Sequence, residues 1–243
     1  MQSGSTDGER VVVVTGAAGR IGAQTCARFT AEGARVIAVD RIAPDGTEAV
    51  DQRCVDVTDV PAVRALADDV VADFGRIDVW VNNAGGLQRA KALEIEPDAW
   101  RHFVDLNLTA TFFGAQAAAR HMVASGGGAI INVSSYAGVR PRPNCADYAS
   151  AKAGVAHLTA CLAVEWGEHG IRVNAVAPGY IETPMSAWMH QDREALEWFL
   201  SRSPLGRMGQ PEEVAKAIAY LSSPEASYVT GEVMLVDGGF AKT

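Results

Sequence analysis

The chain has 243 residues, of which 48% are hydrophobic and 21% charged, a composition suited to one large folded core. The formal net charge is −8 and no basic block occurs, which argues against nucleic acid or an anionic membrane as a partner. Cys26, Cys54, Cys145 and Cys161 form no C-x-x-C pair, so a metal site or disulfide framework is not expected, and a reducing cytoplasm is the expected compartment.

Residues 1–9 read as a flexible polar tail without the apolar core of a signal peptide. Residues 10–14 are a β-branched run, too short for a bilayer and suited to a strand buried on both faces. Gly16-Ala17-Ala18-Gly19-Arg20-Ile21-Gly22 follows, then a helical stretch to about Glu32 and a stop at Gly33. Residues 35–39 make a second buried strand, with Asp40 directly after it. Strand, glycine turn, helix, strand and acid in that order point to a dinucleotide site. Glycines let backbone N–H groups approach a pyrophosphate at a helix N-terminus. Asp40 can accept from both ribose hydroxyls and would repel a 2′-phosphate, which favours NAD.

A third strand is expected at 53–55, with Asp56 beyond it, and an amphipathic helix at 59–74. Residues 77–81 read as a buried strand running into Asn82-Asn83-Ala84-Gly85. Asn side chains there can tie the loop to a neighbouring strand, and Gly85 permits close approach of a ligand. A long helix is expected within 97–123. Asn107 lies inside it, where an amide is a mediocre helix former. Residues 129–133 form a fifth strand that delivers Ser134 and Ser135 to its carboxyl end.

A loop stiffened by Pro141 and Pro143 leads to a helix starting near Asp147. Tyr148 and Lys152 share one face of that helix at i,i+4. A phenol has an ordinary pKa of about 10, so acid/base work near neutrality needs a cation beside it. Lys152 can be that cation, and a positive cofactor ring would add to it. A sixth strand at 172–176 is closed by Pro178-Gly179. Residues 183–204 read as an inserted lid, 211–221 as a helix and 233–236 as a last strand. The expected fold is therefore a single-domain α/β doubly wound parallel sheet over 10–243, Rossmann-like, with about seven strands and helices on both faces. Helices near 101–123 and 148–166 are apolar or small on nearly all sides. That surplus is met either by a second subunit or by deep burial within the chain.

The motifs Thr15-Gly16-Ala17-Ala18-Gly19-Arg20-Ile21-Gly22, Asn82-Asn83-Ala84-Gly85, Ser135 with Tyr148-Ala149-Ser150-Ala151-Lys152, and Pro178-Gly179 resemble those of the short-chain dehydrogenase/reductase family, in order from about Val11 to Gly239. The resemblance implies Tyr148 as catalytic acid/base. It implies Lys152 as the group that holds the nicotinamide ribose and depresses the tyrosine pKa. Ser135 would orient the substrate oxygen, with Ser134 a non-catalytic neighbour, and Asn107 would position a water in a proton relay. The implied cofactor contacts include Gly16, Gly19, Arg20, Ile21, Gly22, Asp40, Arg41, Asn83, Ala84, Gly85, Pro178, Gly179 and Ile181. Asp56 and Val57 would contact adenine, and Thr183 the nicotinamide amide. Where the family's turn usually has its middle glycine, this chain has Arg20. Arg20 and Arg41 could each reach a 2′-phosphate and keep NADP open beside NAD. The implied assembly is a homo-oligomer, with a tetramer favoured.

The implied reaction is reversible hydride transfer between a secondary alcohol and its ketone, with a small-molecule substrate. Two alternatives stand beside it: an NADPH-dependent 3-oxoacyl-type ketoreductase, and a non-catalytic NAD(H)-binding regulator on the same fold. Met185, Trp188 and Met189 share a face of the lid that either closes over substrate or is ordinary helix packing. Leu87 and Gln88 stand where substrate contact is expected. Arg140 and Arg142 are expected to be solvated loop arginines rather than anion ligands. His102, His121, His157, His169 and His190 are scattered singly, and no group has zinc-ligand spacing.

Overall fold

A computed structural model describes residues 9–42 and 51–243. The expected flexible tail lies mostly outside the described residues. The strands are β1 (Val11–Thr15), β2 (Arg35–Asp40), β3 (Asp51–Cys54), β4 (Val79–Asn82), β5 (Gly128–Val133), β6 (Ile171–Pro178) and β7 (Val233–Val236). They form one parallel sheet in the order β3-β2-β1-β4-β5-β6-β7. The chain therefore starts in the middle, builds outward through β2 and β3, then crosses back to β4. A crevice opens at the carboxyl ends of β1 and β4, where the direction of winding reverses.

Alternation along the strands divides the core into two layers. Val11, Val13, Ile37, Trp80 and Ile130 pack on one face with α2 (Val60–Phe74) and α4 (Ala110–Ser125). Val12, Val14, Val36, Val81 and Ile131 pack on the other with α1 (Arg20–Ala31) and α7 (Pro211–Ser222). Two-sided burial explains why these strands read as continuous apolar runs rather than alternating ones.

Local chemistry sets the helix ends. Asp59 caps α2 by accepting from the Ala62 N–H at 3.1 Å, Pro61 sits in the first turn, and Gly75 stops the helix at φ 81°. The run expected as one long helix over 97–123 is interrupted. It consists of α3 (Pro97–Val104), a π turn at Asp105–Thr109, and α4. The widened turn places Asn107 inward, fully buried. The stretch expected as a lid is a 3-10 segment, Pro184–His190, followed by α6 (Arg193–Arg202). Among the described residues no helix is long and apolar enough to cross a membrane.

Much of the apolar surplus on α4 and on α5 (Ala146–Trp166) is met inside the chain. Ala115, Ala117, Ala118, Met122, Leu162 and Ala163 are all buried. Val123 and Val164 remain exposed, Val164 at 86%.

Candidate active site

A crevice of about 720 Å³ runs from the glycine turn to the lid, and every residue proposed for cofactor binding or chemistry from the sequence lines it. At one end, α1 starts at Arg20 with no side-chain cap and no acid in its first turn. Its free amides and positive dipole end suit an anion. Gly16 has φ +67°, and a Cβ there would lie 2.7 Å from the Ala84 Cα. Only glycine lets the turn pack this tightly against the β4 loop.

Asp40 ends β2 with both oxygens engaged: one accepts from the Ala18 N–H at 3.0 Å, the other from the Arg41 N–H at 2.8 Å. These bonds hold the carboxylate at the crevice edge. Neither Arg20 nor Arg41 forms an ion pair with it among the described residues. Asp56 accepts from the Thr58 N–H and hydroxyl at 2.9 and 2.7 Å, and these bonds hold its carboxyl below the usual range.

The Asn82-Asn83 pair ties the centre together as expected. The Asn82 amide donates to the Asn132 side chain at 3.0 Å, reaching across to β5. The Asn83 amide donates to the Thr15 and Gly16 carbonyls at 2.9 and 3.0 Å. Thr15, not singled out from the sequence, accepts from the Asn83 and Ala84 N–H groups while donating to Val81.

At the inner end Ser135, Tyr148 and Lys152 converge from the end of β5 and the first turns of α5. The Ser135 hydroxyl accepts from the Ala137 N–H at 3.1 Å and stands near enough to the Tyr148 phenol to favour its ionised form. Lys152 donates to the Val133 carbonyl at 2.8 Å and stands 5.8 Å from the Tyr148 ring centre. Ser134 donates to the Lys152 carbonyl at 2.8 Å, which fixes α5 against β5 and explains its buried, non-reacting position. Burial raises the Tyr148 pKa against the lowering effects of Ser135 and Arg142, and burial lowers Lys152 to about 8. In the free chain desolvation dominates both groups.

Asn107 makes three backbone bonds. Its amide donates to the Gly86 and Phe103 carbonyls, both at 2.9 Å, and its oxygen accepts from the Gly86 N–H at 3.2 Å. A Cβ on Gly85 would lie 2.8 Å from the Asn107 oxygen and 3.3 Å from the Lys152 ammonium. The bare glycine thus leaves a small space between these two side chains, and the cradle fits a nucleotide lying along the β4 loop.

The outer wall departs from expectation. Arg140 and Arg142 are both half-buried rather than solvated. Arg140 donates to the Phe240 carbonyl at 2.9 Å. The Arg142 guanidinium lies 5.3 Å from the Tyr180 ring centre and 6.0 Å from that of Tyr136. The aromatic cluster of Tyr136, Tyr180, Phe199 and Phe240 draws both arginines in. Tyr136 and Tyr180 directly follow Ser135 and Gly179, the only sequence signal that they belong to the site. The lid face splits: Met185 and Trp188 line the crevice, whereas Met189 is buried in the aromatic cluster. Among the described residues no group of three or more His, Cys, Asp or Glu is placed to hold a metal ion.

The family described as enoyl-(acyl carrier protein) reductase matches residues 16–241. The chain is 44% identical to the cis-4-hydroxycyclohexanecarboxylate dehydrogenase of Sinomonas cyclohexanicum, covering 98% of each chain. It is 42% identical to the 3-oxoacyl-[acyl-carrier-protein] reductase of Thermotoga maritima, covering 95% of this chain and 97% of that one. The structure of a gluconate 5-dehydrogenase from Burkholderia cenocepacia, in complex with NADP and tartrate, superimposes with a TM-score of 0.91 at 36% identity, covering 98% of this chain and 96% of that one.

Proposed function

The chain belongs to the short-chain dehydrogenase/reductase family, and from that premise we propose that it is an NAD-preferring enzyme that interconverts a secondary alcohol and its ketone, with Ser135, Tyr148, Lys152 and Asn107 as its working residues. The observation that carries the reading is the convergence of buried Ser135, Tyr148 and Lys152, the ammonium 5.8 Å from the phenol ring, at the inner end of a nucleotide-sized crevice.

When bound, the nicotinamide cofactor accepts or supplies the hydride. Ser135 holds the substrate oxygen. In the oxidation direction the Tyr148 Oη takes the hydroxyl proton, and in reduction it returns it. Because burial raises this phenol, its phenolate needs a positive charge brought in beside it. Lys152 has three donors and spends one on Val133, which leaves two for the ribose hydroxyls and for passing the proton on. Asn107 fixes the loop at Gly85 and Gly86 beside Lys152, so its contribution is to hold the proton's exit path in shape.

NAD is the preferred cofactor on the strength of Asp40. An uncompensated carboxylate beside a 2′-phosphate weakens binding. Arg20 and Arg41, which form no ion pair among the described residues, support the second reading, an NADPH-dependent ketoreductase. A cytoplasmic location is part of the proposal, and the four free thiols support it. A homotetramer is part of the proposal. Support comes from the exposed Val123 and Val164 on α4 and α5. Light scattering that returns a monomer at micromolar concentration would overturn it.

The test is reduced-cofactor formation across a panel of sugars, cyclic alcohols, steroids and 3-hydroxyacyl thioesters, with NAD⁺ and NADP⁺ in parallel. Turnover of at least one class, faster with NAD⁺, is the expected result. Tight NADH binding without turnover in either direction on any class would favour a non-catalytic regulator.

A further inference from the structure

Arg142 is a half-buried cation that lines the crevice, yet its guanidinium has no hydrogen bond and no ion pair among the described residues. In a chain of net charge −8, other arginines have found acids: Arg53 reaches Asp51 and Asp73, Arg207 reaches Glu213, Arg35 reaches Glu9. Arg140, two residues away, is held by a backbone carbonyl. A partly buried guanidinium resting only on the faces of Tyr136 and Tyr180 leaves its in-plane donors unused, and such donors match a carboxylate edge-on.

Its surroundings say what kind of molecule would present that carboxylate. The Arg142 charge is felt at the Tyr148 phenol and at the Cys145 thiol, so it stands at the reacting end of the crevice. Arg89 adds a second positive charge at this end: it stacks on the Trp188 ring at 3.8 Å and is also felt at Cys145. Apolar side chains also line this end. Leu87 packs against the Tyr148 cluster, and Met185 and Trp188 close the lid side.

We propose that Arg142 anchors a substrate carboxylate, so that this enzyme acts on hydroxy acids in which an apolar ring or short chain separates the carboxylate from the reacting hydroxyl. The proposal rests on the alcohol–ketone reading above and names its substrate class. The carboxylate undergoes no bond change. Hydride leaves the carbinol carbon for the nicotinamide, the hydroxyl proton passes to Tyr148, and the carbinol becomes a ketone.

The experiment compares the 3- and 4-hydroxycyclohexanecarboxylates with their primary amides, in wild type, Arg142→Gln and Arg142→Lys. Amides keep the ring and hydroxyl and remove only the charge. The wild type is expected to favour acid over amide in kcat/KM by about 30-fold or more, mostly through KM. Arg142→Gln is expected to collapse that ratio toward one, and Arg142→Lys to restore part of it. Reading the ratio cancels any effect of Arg142 on the Tyr148 phenol itself. A ratio that Arg142→Gln leaves unchanged would overturn the anchor. Calorimetric binding of the corresponding oxo acids and oxo amides to the NADH-loaded protein separates the two claims. Acid-selective binding that depends on Arg142, without turnover of any compound, would refute the alcohol–ketone reading and uphold the anchor. Equal binding of acid and amide would refute the anchor whatever the turnover.

Discussion

The Lys152 ammonium stands 5.8 Å from the Tyr148 ring centre, and burial drives the two groups toward neutrality from opposite sides: the phenol is raised and the ammonium lowered to about 8. A buried, lowered lysine costs stability while it is charged. Below pH ~8 it carries its proton in both the folded and the unfolded chain, and the folded chain bears the desolvation cost. Between about 8 and the ordinary 10.5 only the unfolded chain keeps the proton, so stability rises with pH across that window. The shift corresponds to about 3 kcal/mol. Ligand-free Lys152→Met should therefore melt above wild type at pH 7, reduced by whatever the lost Val133 bond contributes, and the gap should close by pH 10. Thermal denaturation across that range checks it. A gap that does not depend on pH would show that Lys152 is not buried as a charged group.

Gly85 separates Asn107 from Lys152. A methyl at this position would press on both, at 2.8 and 3.3 Å. Gly85→Ala is expected to lower kcat by about tenfold or more, consistent with the sensitivity of catalysis to displacements of order 1 Å. The melting temperature should move by only a few degrees, because Gly85 is exposed and outside the core. Steady-state kinetics beside a melting curve separates these. A large loss of stability with kcat intact would contradict the role given to this loop.

Asp40 decides between cofactors in this account. Asp40→Asn keeps much of the shape and removes the charge. The ratio of kcat/KM for NAD to that for NADP should fall at least tenfold, chiefly through better use of NADP by Arg20 and Arg41. An unchanged ratio would show that the carboxylate does not face the 2′ position.

Most of the fold could be read from the sequence because two-sided burial writes itself as uninterrupted β-branched runs, as in Val11–Thr15 and Arg35–Asp40. The glycine turn after β1 was equally legible. Glycines at close approaches, such as Gly16 against Ala84, are forced by sterics and sit at fixed spacing. The π turn at Asn107 left no such trace. A single inserted residue per turn does not disturb apolar periodicity over so short a stretch. The outer wall was misread for a different reason. Arg140 and Arg142 are held by aromatic rings from Tyr180 and Phe240, 38 to 100 residues away along the chain, and local pattern says nothing of such contacts. The lid face also could not be apportioned between substrate and core until Met189 was seen among those same rings.

Phe240 is the keystone of that wall. It is 2% exposed and meets Tyr136, Tyr180, Trp198 and Phe199. Phe240→Ala should cost about 3–5 kcal/mol locally. It should also free the lid and the loop after Ser135, so KM for the alcohol should rise while KM for NAD changes little. Limited proteolysis should then cut within the lid. A variant with unchanged alcohol KM and a protease-resistant lid would mean that the cluster does not shape the substrate end.

The most direct test of the whole account is alcohol-dependent reduction of NAD⁺ by wild type and Tyr148→Phe, with NADH binding measured on both by fluorescence. The account predicts that the variant binds NADH as the wild type does and loses turnover by about 10²–10⁴-fold, the range expected for removing a general acid/base. Turnover within a few-fold of wild type, on the same alcohol and with the same cofactor affinity, would contradict it.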